Sequence, residues 1–219
     1  MPYPCPRPAG FYSFLACYWL LVLLLGTKAH AQSDEIERWG AGTYCYKQVG
    51  ERSLRLHVMN PPKWSQTDAR PALVFFHGGG WVAGSPWVFD WQREHCAKLG
   101  FVCITVEYRL VGRETLEPPF ICIEDARSAM RWVRGRAGEL GIDPHRIASV
   151  GASAGGHLAA CIGMGVGNDA PQDDTDISPV SQAMILLNPV LHNGPGEYGF
   201  GHKRIGERFR QISPFHNVS

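Results

Sequence analysis

Four short apolar runs recur along the chain, and each is typical of a strand buried on both faces of a sheet. They cover residues 72–76, 101–106, 147–150 and 183–187. Two earlier strands, residues 43–49 and 53–58, are predicted on either side of a Gly-Glu turn. In the second of these, apolar and polar residues alternate over positions 54–58, which predicts one solvent-facing side.

Helical patterns separate the apolar runs. Ser85 and Pro86 are typical of a helix start, and Gly100 predicts that this helix ends at Leu99. Apolar spacing over residues 126–137 predicts a second helix that stops near 138–141, with a turn at 143–144 before the next strand. A third helix includes residues 158–162. This alternation predicts an α/β fold, with a mostly parallel sheet, helices on both faces and the antiparallel pair at one edge.

The first 31 residues are predicted to be a cleaved signal peptide. Arg7 supplies a basic start, residues 11–25 are uncharged and apolar, and Ala29-His30-Ala31 has the small-x-small pattern of a cleavage site. A retained membrane anchor is the alternative, but the run is shorter than the roughly 20 residues that a spanning helix needs. We therefore expect a secreted or periplasmic protein without a stable membrane span after cleavage.

Length, charge and cysteine spacing limit the domain count and the kinds of ligand that the protein is expected to bind. With 219 residues, 45% of them apolar, the chain is long enough for one domain, which we place at residues 32–219. Loss of residues 1–31 would leave 19 of the 21 basic residues against 20 acidic ones, so nothing indicates a nucleic-acid surface. Five cysteines would remain without CxxC or CxxH spacing, so we expect no metal and no cofactor. Cys103 and Cys161 are expected to be buried, inert thiols.

The pattern Gly-x-Ser-x-Gly lies between a predicted strand and a predicted helix, at Gly151, Ser153 and Gly155. At such a turn the serine is held at a strained backbone position with its hydroxyl exposed. A side chain at 151 or 155 would collide with the neighbouring strand or helix, which explains the two glycines. Taken alone, the pattern has a second interpretation, because small residues between a strand and a helix are also a common packing device.

A second turn, His-Gly-Gly-Gly-Trp at residues 77–81, directly follows the strand at 72–76. Three consecutive glycines leave backbone N–H groups that can hold a negatively charged oxygen if they converge on one point. A flexible loop and a phosphate cradle are the alternatives. The cradle is disfavoured because no lysine follows in the Walker spacing.

The two turns together resemble those of the α/β-hydrolase esterases and lipases. The likeness is to the hormone-sensitive-lipase-like branch and, within it, to exported acetyl-xylan and feruloyl esterases. It is carried by residues 71–85, 107–109, 125–133 and 140–160 and covers the chain from about residue 43 onward. The resemblance implies that Ser153 is the nucleophile and that the amides of Gly79, Gly80 and Ala154 form the oxyanion hole.

Other residues near these turns receive structural interpretations. We expect His77 to brace the glycine turn rather than act as a base, and His157, one helical turn beyond Ser153, to be a poor base. Asp125 is interpreted as structural. Trp81 and Trp87 flank the glycine turn and either line an acyl or sugar pocket or simply pack, and the sequence does not decide between these roles.

The sequence identifies neither the catalytic acid nor the catalytic base. In this fold they follow the serine, each after a further strand, but the sequence ends 66 residues after Ser153. His192, His202 and His216 all fall in or near the loop where the family carries a cap or crossover. The expectation is a C-terminally truncated fragment that lacks its last two strands, the acid and the base. Otherwise the apolar strand at 183–187 would be an exposed sheet edge.

The leading functional hypothesis is a secreted serine esterase acting on short acyl or feruloyl esters, including those of polysaccharides, through an acyl-enzyme. The partner would be a small-molecule or carbohydrate ester. A serine peptidase on the same fold is the alternative within enzymes. A non-catalytic binding module is the alternative from another class, because the acid and base are missing from the sequence.

Overall fold

The computed structural model describes residues 42–197 and 199–218. The predicted signal peptide and the first residues of the predicted domain lie outside the described part of the chain. Within the described part, no helix has the length and apolar character needed to cross a membrane. The same residues contain no group of three or more His, Cys, Asp or Glu side chains placed to hold a metal ion.

In the part of the chain that the structure describes, six strands form one sheet in the order β1-β2-β4-β3-β5-β6. Their bounds are β1 Gly42–Val49, β2 Arg52–Met59, β3 Arg70–Phe76, β4 Val102–Val106, β5 Ile142–Ala152 and β6 Ala183–Leu187. β1 pairs antiparallel with β2, and β2 pairs antiparallel with β4. The pairs β3–β4, β3–β5 and β5–β6 are parallel. The predicted parallel sheet with an antiparallel pair at one edge is confirmed.

The described residues form four α-helices: α1 Asp90–Lys98, α2 Phe120–Gly135, α3 Ala154–Gly163 and α4 His202–Ile205. The first three connect strands, and α4 follows β6. Short 3₁₀ helices cover Pro86–Phe89, Gly206–Gln211 and Pro214–Asn217. The helix predicted to start at Ser85 therefore begins as a 3₁₀ turn, with the Ser85 hydroxyl accepting from the Trp87 amide at 3.3 Å. It ends at Lys98 with Leu99 as its C-cap residue, within one residue of the predicted end, and Gly100 follows at φ +100°.

Two predicted boundaries were wrong. α2 ends at Gly135, before the predicted stop at 138–141, and the chain continues in turns closed by the Leu140 amide on the Arg136 carbonyl. Gly135 and Gly138 explain the early end, since glycine costs a helix about 1 kcal/mol relative to alanine. The residues predicted to turn at 143–144 lie inside β5, where Asp143 accepts from the His145 amide at 2.8 Å. The pairing with β3 shifts there, as at a bulge.

Helices cover both faces of the sheet. Successive side chains of a strand point to opposite faces, so Phe75 packs on Phe89, next to α1, with ring centroids 5.4 Å apart. Val74 and Phe76 point the other way and join the buried cluster that α2 and α3 complete. Cys103 and Cys161 are buried, as predicted, and burial raises the pKa of both thiols.

β6 is an apolar edge strand within the described part of the chain. It pairs with β5 on one side, while Met184, Ile185 and Leu187 each keep more than 40% of their surface exposed. Its end is fixed to the rest of the fold by the Ser153 amide, which donates to the Leu187 carbonyl at 3.0 Å. The turn at residues 151–155, called the serine turn below, is therefore held by β3 on one side of β5 and by β6 on the other.

Candidate active site

The glycine turn and the serine turn leave the same edge of the sheet. β3 and β5 are parallel neighbours, and Phe76 at the end of β3 is in register with Gly151 near the end of β5. The next residues of both strands therefore emerge side by side. A Cβ added to Gly78 would lie 3.4 Å from the Ser153 Cβ, so the two turns are separated by about the width of one carbon atom.

Ser153 occupies the tight turn between β5 and α3. Its φ of +53° and ψ of −118° are rare for a residue with a side chain. The Ser153 carbonyl accepts from the amides of His157 at 3.0 Å and Val190 at 3.2 Å, which fixes the strained backbone. The side chain is partly exposed, and its hydroxyl forms no hydrogen bond with the described residues. It is thus a rigidly mounted hydroxyl that faces solvent.

The two glycines around Ser153 are required sterically, in agreement with the sequence prediction. A Cβ at Gly151 would overlap the Gly155 carbonyl at the start of α3. A Cβ at Gly155 would overlap the carbonyls of Phe76 and His77, where the glycine turn begins. α3 can therefore lie this close to β5 and β3 only because Gly151 and Gly155 lack side chains.

The glycine turn adopts a conformation that depends on glycine. Gly79 and Gly80 have φ of +125° and +61°. The Gly79 carbonyl accepts from the amides of Val82 and Ala83, each at 3.1 Å, which curls the turn back on itself. A side chain at Gly79 would overlap the Ala83 carbonyl.

The amides of Gly79, Gly80 and Ala154 have no acceptor within residues 42–197 and 199–218. Ala154 is the first residue of α3, so its N–H is one of the free donors at a helix N-terminus. Such donors beside an unbonded hydroxyl form a site that can bind an oxygen carrying negative charge. Their role as an oxyanion hole remains a prediction.

His77 has the bracing contacts that the sequence interpretation expected. Its Nδ1–H donates to the Gly78 carbonyl at 2.8 Å, and its ring stacks on Tyr108 with centroids 4.3 Å apart. Burial lowers the pKa of His77, so the imidazole is neutral at neutral pH. The Tyr108 hydroxyl donates to the His77 carbonyl at 2.7 Å. No role for Tyr108 was predicted from the sequence, although it lies two residues after the end of β4, the other neighbour of β3.

His157 and Asp125 are also structural. The Nε2–H of His157 donates to the Ile212 carbonyl at 2.7 Å, and burial lowers the pKa of His157 to about 4. Asp125 is fully buried and accepts from the Arg109 guanidinium at two distances of 2.8 Å, with the Lys47 ammonium 2.7 Å away. Neither side chain is available to take a proton from Ser153.

The two tryptophans that the sequence could not assign differ in the structure. Trp81 is buried, with its ring 5.3 Å from that of His157, so it packs. Trp87 is 39% exposed, lies over His57 with centroids 4.2 Å apart, and lines a recess of about 280 Å³. Glu107 and Tyr108 line the same recess.

The side chains of the three histidines near the end of the sequence make their contacts away from Ser153. His216 contacts the Ser213 hydroxyl through Nδ1 at 2.8 Å, and its ring is 4.6 Å from that of His192. The Nδ1–H of His202 donates to the Asn193 carbonyl at 3.1 Å. In the described part of the chain, no imidazole is hydrogen-bonded to Ser153.

Comparison with known proteins places these features in a family. The model of the BD-FAE family matches residues 56–188. The chain is 41% identical over 95 residues to carboxylesterase NlhH of Mycobacterium tuberculosis, an alignment that covers 42% of the chain and 28% of NlhH. It is 33% identical over 152 residues to ethyl acetate hydrolase of Pseudomonas putida, covering 66% of the chain and 46% of that enzyme. The chain thus spans less than half the length of these relatives.

A solved structure matches over a longer part of the chain. Esterase 2 of Thermogutta terrifontis with propionate bound superposes with a TM-score of 0.74 at 41% identity, over 83% of the chain and 68% of the esterase. The same esterase has been solved after phosphorylation by paraoxon, and that structure is 42% identical with a TM-score of 0.73, covering 82% of the chain and 66% of the esterase.

Proposed function

The chain belongs to the BD-FAE family and has the α/β-hydrolase fold, and from this premise we propose that it is a serine carboxylic-ester hydrolase. One observation supports the proposal above all. The hydroxyl of Ser153 is held at a strained turn next to the glycine turn. Among the described residues, neither this hydroxyl nor the amides of Gly79, Gly80 and Ala154 have a hydrogen-bond partner.

The proposed mechanism has two steps. The Ser153 Oγ attacks the ester carbonyl, and the amides of Gly79, Gly80 and Ala154 donate to the carbonyl oxygen as it becomes negative. The alcohol then leaves with the proton that a base has taken from the Ser153 hydroxyl, and water hydrolyses the acyl-enzyme to the free acid and restores that hydroxyl. One such donor typically contributes about 2.7–4 kcal/mol to transition-state stabilisation. The mechanism also needs a base, and the prediction that acid and base lie beyond Ser219 stays a prediction.

We propose short acyl esters as the first substrates to test. The P. putida relative is named for ethyl acetate, and the Thermogutta esterase binds propionate and butyrate. The resemblance to the hormone-sensitive-lipase-like branch, and to acetyl-xylan and feruloyl esterases within it, extends the proposal to feruloyl esters and to esters carried on polysaccharides.

The test compares hydrolysis of p-nitrophenyl acetate, p-nitrophenyl butyrate and methyl ferulate by the full-length protein and by Ser153→Ala. We expect Ser153→Ala to lose hydrolysis at least ~1000-fold, because no other group replaces the nucleophile. Ser149→Ala is the matched control. Ser149 lies on the same strand, but its hydroxyl is buried and donates to the Ala159 carbonyl at 2.9 Å, so this variant should keep the wild-type kcat.

Paraoxon gives a second readout. A diethylphosphoryl adduct on Ser153, located by peptide mass spectrometry and absent in Ser153→Ala, would support the nucleophile assignment. Neither turnover nor adduct in the folded wild-type protein would favour the non-catalytic binding module. Cleavage of peptide amides in preference to esters would favour a serine peptidase.

A further inference from the structure

Tyr108 connects the end of β4 to the start of the glycine turn. It lies two residues beyond Val106, the last residue of β4, and only 2% of its surface is exposed. Its hydroxyl donates to the His77 carbonyl at 2.7 Å, and its ring is nearly parallel to the His77 imidazole, at 18°. Tyr108 thus holds both the backbone and the side chain of the residue before Gly78.

The conformation of the glycine turn depends on hydrogen bonds from residues outside the three glycines. Glycine populates both signs of φ, so three consecutive glycines place few constraints of their own on the direction of their N–H groups. The far side of the turn is fixed by the amides of Val82 and Ala83 on the Gly79 carbonyl. The near side is fixed by the Tyr108 hydroxyl on the His77 carbonyl and by the His77 ring on the Gly78 carbonyl.

The carbonyl that Tyr108 holds also sets the spacing between the two turns. It lies against Gly155, where an added Cβ would overlap it, and a Cβ added to Gly78 would lie 3.4 Å from the Ser153 Cβ. Movement of the His77 carbonyl would therefore shift the amides of Gly79 and Gly80 relative to Ser153. Burial raises the pKa of Tyr108, so the hydroxyl keeps its proton and remains a donor at any working pH.

We propose that Tyr108 is a positioning residue whose hydroxyl, through the His77 carbonyl, aligns the amides of Gly79 and Gly80 with the oxygen that becomes negative during attack by Ser153. The proposal rests on the function proposed above. Tyr108 acts through His77 and does not itself touch the reacting atoms.

The chain provides a matched control in Tyr46. Its hydroxyl donates to the Glu107 carbonyl at 2.6 Å, and burial also raises its pKa. Tyr46→Phe and Tyr108→Phe each remove one hydroxyl and leave one carbonyl without its partner. Of the two tyrosines, Tyr108 alone donates to the residue that precedes the glycine turn, so the two variants should lose similar stability but differ at the site.

The test measures amide hydrogen exchange of Gly79 and Gly80 together with kcat and KM for p-nitrophenyl acetate, all on the full-length protein. In Tyr108→Phe we expect faster exchange at both glycines and a kcat lower by roughly three- to tenfold, the size of one lost hydrogen bond, at little-changed KM. In Tyr46→Phe both quantities should stay at wild-type values. Equal effects in the two variants, or unchanged exchange in Tyr108→Phe, would overturn the proposal.

A third variant covers the case in which Tyr108→Phe does not fold. 4-Aminophenylalanine at position 108 keeps a weaker N–H donor at nearly the same place and should give intermediate exchange and an intermediate kcat. Wild-type values for both would count against a role of the hydroxyl. If wild-type protein hydrolyses no ester, the proposed function fails, while the exchange comparison still decides whether Tyr108 holds the glycine turn.

Discussion

Gly155 shows how a single missing side chain fixes the site. Alanine there should favour α3 by about 1 kcal/mol through helix propensity. However, its Cβ would overlap the carbonyls of Phe76 and His77, and overpacking against backbone costs about 1–3 kcal/mol or more. We expect the collision to win, so Gly155→Ala should lower both the free energy of unfolding and kcat, as measured by urea denaturation and ester hydrolysis.

The control for this prediction is Gly138→Ala. Nothing lies within 4 Å of a Cβ at Gly138, so the same chemical change should alter the free energy of unfolding by no more than about 0.5 kcal/mol. A Gly155→Ala protein as stable and as active as Gly138→Ala would show that α3 does not need this close approach.

The burial of His157 should make the free energy of unfolding depend on pH. Burial lowers its pKa from 6.5 to about 4, so between these values the unfolded chain binds a proton that the folded chain does not. This contribution to stability is therefore present above about pH 6.5 and is lost as the pH falls toward 4, by about 3 kcal/mol in total. In His157→Gln the decline of unfolding free energy from pH 7 to 4 should be smaller by about that amount.

The exposed His145 supplies the control for the titration. His145→Gln should keep the pH dependence of the wild-type protein, measured by urea denaturation at each pH. If His157→Gln and the wild-type protein lose the same free energy between pH 7 and 4, the buried imidazole does not cause the decline.

At the level of elements, the hydrophobic pattern predicted the positions of the strands well. It predicted the end of α2 and the start of β5 poorly. Continuous apolar runs such as 72–76 and 101–106 mark buried parallel strands, because both faces of each strand are covered. The bulge in β5 depends on the local hydrogen bond of Asp143 and on the shifted pairing with β3. Neither leaves a signal in hydrophobicity, so Asp143-Pro144 is read from the sequence as a turn before the strand.

The link between α2 and the segment after β4 depends on one buried carboxylate. Asp125 on α2 accepts two hydrogen bonds from the Arg109 guanidinium and lies 2.7 Å from the buried Lys47 ammonium. Asp125→Asn leaves these cations without their counter-ion, and breaking a buried ion pair from one side costs about 3–5 kcal/mol. We expect the free energy of unfolding in urea to fall by about that much.

Asp68→Asn is the matched surface control. Asp68 pairs with Arg70 at 2.8 Å, and both side chains are about a quarter to a third exposed. Solvent screens such exposed pairs, which contribute little to stability, so this variant should stay close to the wild-type protein. Similar losses in both variants would mean that burial of the Asp125 network adds nothing to its strength.

At the scale of the whole molecule, the serine turn and the glycine turn were predicted from the sequence, but the contacts that hold them in place were not. Gly-x-Ser-x-Gly and His-Gly-Gly-Gly are local patterns whose glycines are required by nearby backbone, so they are visible in one dimension. The contact of Tyr108 with His77 joins residues 31 positions apart, and it follows only from the β4-β3-β5 order of the sheet. Strand order is a property of the complete fold and has no local signature.

The predicted signal peptide at residues 1–31 leads to a testable prediction about export and cleavage. Arg7, the apolar residues 11–25 and the pattern Ala29-His30-Ala31 predict cleavage after Ala31. Protein recovered from the periplasm or medium should begin at Gln32 by intact mass and N-terminal sequencing. Ala29→Arg should block cleavage, because the site requires small residues, whereas Ser33→Arg, beyond the site, should leave the processed mass changed only by the substitution. Membrane-bound protein that keeps residues 1–31 would instead support the anchor interpretation.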